Sequence, residues 1–170
     1  MRTYLRTRHP GGLYFFTAVT AGREPVFAEH ANVVGLRNAI CRVRQRRPIA
    51  IPALVVLPDH LHCIWRLPIG DHDYSVRWEW IKKGFSRWLH SREEVRQPRQ
   101  VWQPRFWEHA IRDDDDLHRH LDYVHLNPVK HGLAATAAEW PYSTFGRYVA
   151  RGWYPEDWGV RRVLACSGNE

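Results

Sequence analysis

Two short apolar runs, IAIPALVVL (49–57) and LHCIWRL (61–67), have Pro58 and Asp59 between them. Both runs are β-branched or aromatic and Pro-Asp is good turn chemistry, so the pair reads as an antiparallel hairpin. A hairpin must be joined to further strands before it is stable in water, and this commits the chain to a sheet. GLYFFTAVT (12–20), bounded by Gly-Gly and Ala-Gly, supplies another strand.

The stretches between the strands carry helical spacing. From Ala28 to Arg47 the apolar residues Val33, Leu36, Ile40 and Val43 recur on one face, while Arg37, Arg42, Arg44, Arg46 and Arg47 take other positions and Pro48 ends the segment. A second helix is expected over Val76–Ser91, rich in Trp78, Trp80, Phe85 and Trp88. REEVRQPRQ then reads as a polar loop, and VWQ and FWEHAIR as short extended pieces. DDDDLHRHLDYVHLN (113–127) opens with acidic residues that cap a helix and oppose its positive end, with Leu117, Leu121 and Val124 as its buried stripe. Pro128 is expected to turn Asn127 away from helical geometry. The order β-α-β-β-α-(β-β)-α is an α+β arrangement, whose first part matches a ferredoxin-like antiparallel sheet with helices on one face. Residues 1–135 form the expected domain, and 136–170, aromatic and rich in Gly and Pro without clear periodicity, an arm packed on it.

The 170 residues carry 25 Lys+Arg against 18 Asp+Glu, a formal charge of +7, and most of the excess is arginine. That balance favours a polyanionic partner. Nine tryptophans and seven tyrosines add flat surfaces of the kind that stack unpaired bases, although most are expected in the core. Three scattered cysteines without a CxxC pair exclude a disulfide framework and a thiolate zinc site. MRTYLRTRHPGG lacks the apolar centre of an export signal and no run of ~18 apolar residues occurs, so a cytoplasmic protein with no membrane contact is expected.

Side chains on a strand alternate, so His60 and His62 share one face while Leu61, Cys63, Trp65 and Leu67 take the other. Two neutral imidazoles on one face suit a divalent cation; the pair also reads as polar side chains on the wet face of a strand. Tyr123 lies off the apolar stripe of its helix, flanked by His120 at i−3 and Asn127 at i+4. Arg2, Arg6 and Arg8, then Arg44, Arg46 and Arg47, then Lys82, Lys83 and Arg87, and finally Lys130 form basic groups that fit contacts to a nucleic-acid backbone.

The HLH pair within LPDHLHCIW, followed by FWEHAIRDDDDLHRHLDYVHLNPVKHGL, strongly resembles the REP-associated tyrosine transposases, a bacterial branch of the single-strand HUH transposases. The resemblance runs from YFFTAVTAGREPVF to WPYSTFGRY, and the long second block carries most of its specificity. It implies the HUH fold, with His60 and His62 as metal ligands, Tyr123 as the nucleophile and Asn127 as a third polar ligand, a place that Glu108, His109 or His120 could also fill. It further implies Mg²⁺ or Mn²⁺ as cofactor and single-stranded or hairpin DNA of REP type as substrate, cut through a 5′-phosphotyrosine. A monomer associated with the nucleoid is expected, a dimer being the other possibility. Two rival readings are a DNA-binding protein that keeps the site without cutting and a zinc hydrolase that uses water and has no need of Tyr123.

Overall fold

The computed structural model describes residues 11–93 and 99–159. Four strands, β1 (Leu13–Val19), β2 (Ala50–Val56), β3 (His60–Arg66) and β4 (Trp107–Ala110), form one antiparallel sheet in the order β2-β3-β1-β4. Helices α1 (His30–Arg46) and α2 (Tyr74–Arg92) follow β1 and β3, α3 (Asp114–Lys130) follows β4, and a five-residue α4 (Phe145–Val149) lies in the C-terminal stretch. This is the ferredoxin-like α+β arrangement expected from the element order. Among the described residues no helix is long and apolar enough to cross a membrane.

The sheet is covered on both sides, which explains why β1 is apolar at nearly every position. Tyr14, Phe16 and Ala18 of β1 and Leu61, Cys63 and Trp65 of β3 pack under α1 and α2, with Val33, Leu36, Ile40, Ile81 and Phe85. Trp65 stacks on Trp78 with centroids 4.6 Å apart. At Gly35 a Cβ would run into the Trp88 ring, so only glycine lets α1 approach α2 here. The alternate set, Phe15, Ala53, Val55 and Ile64, meets Leu121 and Val124 of α3. His60 and His62 belong to this second face. It is not a wet face: they are only 5% and 4% exposed.

Helix α3 begins as its acidic start suggests, with the Asp113 carboxylate accepting from the Asp116 backbone N–H at 2.7 Å. It does not stop at Asn127. Pro128 lies inside the helix, which runs on to Lys130 and is closed by backbone bonds from His131 to Asn127 and from Leu133 to Pro128. Interior proline ordinarily costs about 3 kcal/mol. Here it stands two residues from the helix end, and Pro128 and Val129 are buried, so packing holds the last turn. Asn127 therefore stays on the helical face of Tyr123.

The VWQ segment makes a single bridge, Thr20 to Trp102, rather than a strand. Beyond α3 the chain covers the outer edge of β2: Val56 donates to Tyr142, Thr144 donates to Leu54, and the Trp140 indole N–H donates to Val56. This protects an edge otherwise open to pairing with other chains.

Candidate active site

The register of β1 against β3 sets Thr17 opposite His62 and Val19 opposite His60. Thr17 Oγ1 lies 2.8 Å from His62 Nδ1, and Asp59 Oδ1 lies 2.5 Å from His60 Nδ1. A carboxylate only accepts, so His60 Nδ1 carries the proton and its Nε2 keeps a free lone pair. Burial pushes both imidazoles down, His62 to about 3 with help from its neighbour His60, so both are neutral at physiological pH. Burial works against ionisation of Asp59, but hydrogen bonds from His60 and Arg23 hold its carboxyl below the usual range.

Helix α3 lays Tyr123 across this pair. Its ring meets His62 edge-on at 5.1 Å and Phe15 at 5.7 Å, and the side chain is 40% exposed. Lys130 Nζ stands 4.7 Å above the tyrosine ring. The Asn127 side chain lies within hydrogen-bonding reach of His62 and donates from Nδ2 to the Tyr123 carbonyl at 3.3 Å, while its buried Oδ1 makes no hydrogen bond of good geometry among the described residues. Two imidazoles backed at Nδ1 and one buried amide oxygen are a fitting donor set for a hard or borderline divalent cation.

A cleft of about 710 Å³ opens over these groups, bordered by Phe15, Thr17, Trp107, Tyr123, His120 and His131, with Arg23 and Arg119 at its margin. Arg23 is a non-glycine residue in the left-handed region, φ 55°, and its guanidinium bonds Asp59 at 2.8 Å. A side chain held in that strained backbone conformation beside a candidate site is a sign of functional constraint.

The other candidates for third ligand separate. Glu108 pairs with Phe16 and so stands at a register position on the α1–α2 side, away from the histidines. His109, Asp116 and His120 form a second cluster, whose ligand atoms lie within 4.8 Å of one another. His109 Nε2 is 2.8 Å from Asp116 Oδ2, and His120 Nδ1 is 2.8 Å from the Asp116 carbonyl. Burial opposes ionisation of Asp116, yet hydrogen bonds from His109 and Arg112 hold its carboxyl far below the usual range. With Arg119 also 3.5 Å away, that carboxylate is already neutralised by guanidinium groups and suits a cation less well than the His60, His62 and Asn127 set.

Of the basic residues marked in the sequence and lying among the described residues, Lys130 is the one that meets Tyr123, with its Nζ over the ring. Arg46, Lys83 and Arg87 line a groove of about 440 Å³ between α1 and α2 beside Trp80. Arg47 lies over the Trp80 ring at 5.1 Å, Lys82 donates to the Gln103 carbonyl, and Arg44 borders a hollow with Arg37 and Arg147. These belong to the helical layer across the sheet from α3. Arg6 and Arg8 lie outside the described residues.

Thr17, Arg23, Asp59, Trp107 and His131 escape a reading of the sequence as site residues. Asp59 has a signal, a carboxylate directly before the HxH pair, but turn chemistry accounts for it equally well. Arg23 ends a single 3-10 turn (Ala21–Arg23) and His131 caps the end of α3, where no periodicity announces them.

The model of the family described as "Transposase IS200 like" matches residues 12–126. The chain is 47% identical over 158 residues to the REP-associated tyrosine transposase of Escherichia coli strain K12, covering 93% of this chain and 91% of the relative. It is also similar to a solved structure of a REP-associated tyrosine transposase bound to a REP hairpin, at 44% identity and a TM-score of 0.83, covering 100% of this chain and 98% of the other. A crystal structure of a transposase candidate from Deinococcus radiodurans R1 shares the fold at 18% identity and a TM-score of 0.50, over 73% of this chain and 93% of that one. The family is metal-dependent. With its candidate tyrosine, histidine pair and sheet in this arrangement, the chain belongs to the IS200-like family and is a tyrosine transposase of the HUH type.

Proposed function

We propose that this transposase nicks and rejoins single-stranded DNA at REP-type hairpins, with Tyr123 as nucleophile and a Mg²⁺ or Mn²⁺ ion held by His60, His62 and Asn127. The observation that carries the reading is the meeting of a half-exposed tyrosine with two buried neutral imidazoles and a buried amide oxygen beside them. The bound ion would neutralise charge on a non-bridging phosphate oxygen and orient the scissile group.

The chain's own residues do the rest. Tyr123 gives up its hydroxyl proton to solvent as Oη forms a bond to phosphorus and the bond to the 3′ oxygen breaks, leaving a 5′-phosphotyrosine and a 3′ oxyanion that takes up a proton to become the 3′-OH. Attack of a 3′-OH on the same phosphorus reverses the step, so no nucleotide cofactor is consumed. Lys130, over the tyrosine ring, sets a positive charge beside the nucleophile that attracts the phosphate. Asp59 fixes the His60 ring and, through Arg23, sets a second positive charge at the cleft margin. Arg44, Arg46, Arg47, Lys82, Lys83 and Arg87 grip backbone outside the reacting segment, since they lie across the sheet from the cleft, and Arg6 and Arg8 extend that grip. The protein acts as a monomer on the chromosome in the cytoplasm.

The REP-hairpin assignment rests on the relatives named above. A paired strand would have to be opened before its phosphate could enter the cleft, at a cost of a few kcal/mol. The test compares initial cleavage of a REP-type hairpin oligonucleotide with an unpaired foot, the same strand annealed to its complement, and a scrambled strand, each with Mn²⁺ and with EDTA. The expected result is metal-dependent cleavage of the hairpin alone. Equal rates on hairpin and duplex contradict the single-strand reading; binding without cutting under every condition supports a silent hairpin binder instead.

A further inference from the structure

Trp107 is an exposed aromatic on β4 that no step above uses. Its side chain is 51% exposed, although tryptophan usually buries most of its large surface. The sheet dictates where it stands. Trp107 pairs with Thr17 of β1, and Thr17 in turn pairs with His62 of β3, so the indole and the imidazole lie on the same sheet face with Thr17 between them. It borders the cleft together with Tyr123, His60 and His62.

The indole is also held rigid from behind. It lies parallel to the His109 ring, at 4° and 6.0 Å, and meets Phe15 edge-on at 5.6 Å. His109 stacks in turn on His120 at 4.7 Å, and both imidazoles are tied to Asp116, one to the carboxylate and one to the carbonyl. The His109–Asp116–His120 cluster, with its carboxylate already taken up by Arg112 and Arg119, thereby braces an aromatic wall. A flat, braced and half-exposed indole beside the nucleophile is the arrangement that accepts the face of an unpaired base, because every base has a π-face and a rigid platform loses little entropy on stacking.

We propose that Trp107 is the stacking platform for one of the two unpaired bases that flank the scissile phosphate, and that it thereby sets which phosphate is presented to Tyr123. The inference rests on the single-strand cleavage reading above and adds a substrate-positioning residue to it. A base stacked here fixes the backbone beside it. Loss of the platform therefore weakens binding of the unpaired foot and blurs the cut position, while hairpin stem contacts elsewhere persist.

The experiment uses the full chain and a REP-type hairpin oligonucleotide whose unpaired foot carries 2-aminopurine, in turn, at the base on either side of the cut phosphate. Parent protein is expected to quench the fluorescence at one of the two positions, Trp107→Ala to lose that quenching, and Trp107→Phe to keep part of it. Foot affinity should fall roughly ten- to a hundred-fold in Trp107→Ala. On an oligonucleotide made abasic at the same position, parent and Trp107→Ala should bind alike, which a merely structural tryptophan does not predict. Equal quenching by parent and Trp107→Ala at both positions, or undiminished loss of affinity on the abasic strand, overturns the platform. Cleavage by the parent protein separates the two levels: cutting without a Trp107 effect removes this inference alone, whereas no cutting by the parent removes the single-strand reading and the platform with it.

Discussion

Asp59 shows how much a single side chain decides in this site. One oxygen takes the His60 Nδ1 proton and the other takes the Arg23 guanidinium, so a turn residue of the hairpin fixes both an imidazole and a candidate phosphate contact. Asp59→Asn keeps the shape but removes the charge and frees the His60 tautomer. Metal affinity should fall about 10- to 100-fold, with the fold intact, and Mn²⁺ titration by calorimetry measures it. Unchanged affinity would place the ion away from His60. The histidine pair itself was legible, because a period of two sets His60 and His62 on one face whatever the rest of the fold does. The Asp59 role was not, because a turn and a hydrogen-bonded carboxylate have the same sequence signature.

At the scale of elements, helix α3 carries Tyr123, Asn127 and Lys130 on one side and is gripped on the other by the C-terminal stretch. His125 lies in that grip, fully buried among Phe145, Tyr148 and Tyr154, with Nε2 3.0 Å from Thr144 Oγ1. Burial, with a smaller contribution from Arg147, pushes its pKa down to about 4. The unfolded chain then binds the proton more readily than the folded one, so stability falls as pH drops below about 6.5 and goes on falling to about 4. A shift of this size corresponds to roughly 3 kcal/mol at the acid end. Thermal melts from pH 8 to pH 4 should show a steeper acid loss for the parent than for His125→Gln; parallel curves would mean that His125 does not sense acid. The acidic start and apolar stripe of α3 were readable from spacing. Its passage through Pro128 was not, since burial of the last turn depends on distant packing, and neither was its position over the histidine face, since nothing local in β3 says that a helix from much later in the chain will cover it.

At the scale of the whole molecule, positive charge among the described residues stands on both sides of the sheet. Arg23 and Arg119 line the cleft and Lys130 lies over the Tyr123 ring, whereas the arginines and lysines of α1 and α2 stand across the sheet. Sequence spacing revealed the clusters but could not tell on which side of a sheet each helix would pack. If both layers hold backbone, log K for hairpin binding should fall with log[salt] by about 0.7 per single-strand phosphate contact. Replacing Lys83 and Arg87 together should then lower the slope by about 1 to 2 without changing the cut position. An unchanged slope would make the α1–α2 groove a solvated surface.

The central claim is that Tyr123 becomes covalently joined to the 5′ phosphate of a cut single strand. Its most direct measurement is mass spectrometry of the protease-digested complex after incubation with a REP-type hairpin oligonucleotide and Mn²⁺. The account predicts a nucleotide adduct on the peptide bearing Tyr123, absent in EDTA and absent from Tyr123→Phe, whose hairpin affinity stays within a few fold of the parent. An adduct on Tyr142 or Tyr148, or cleavage that persists in Tyr123→Phe, would contradict it.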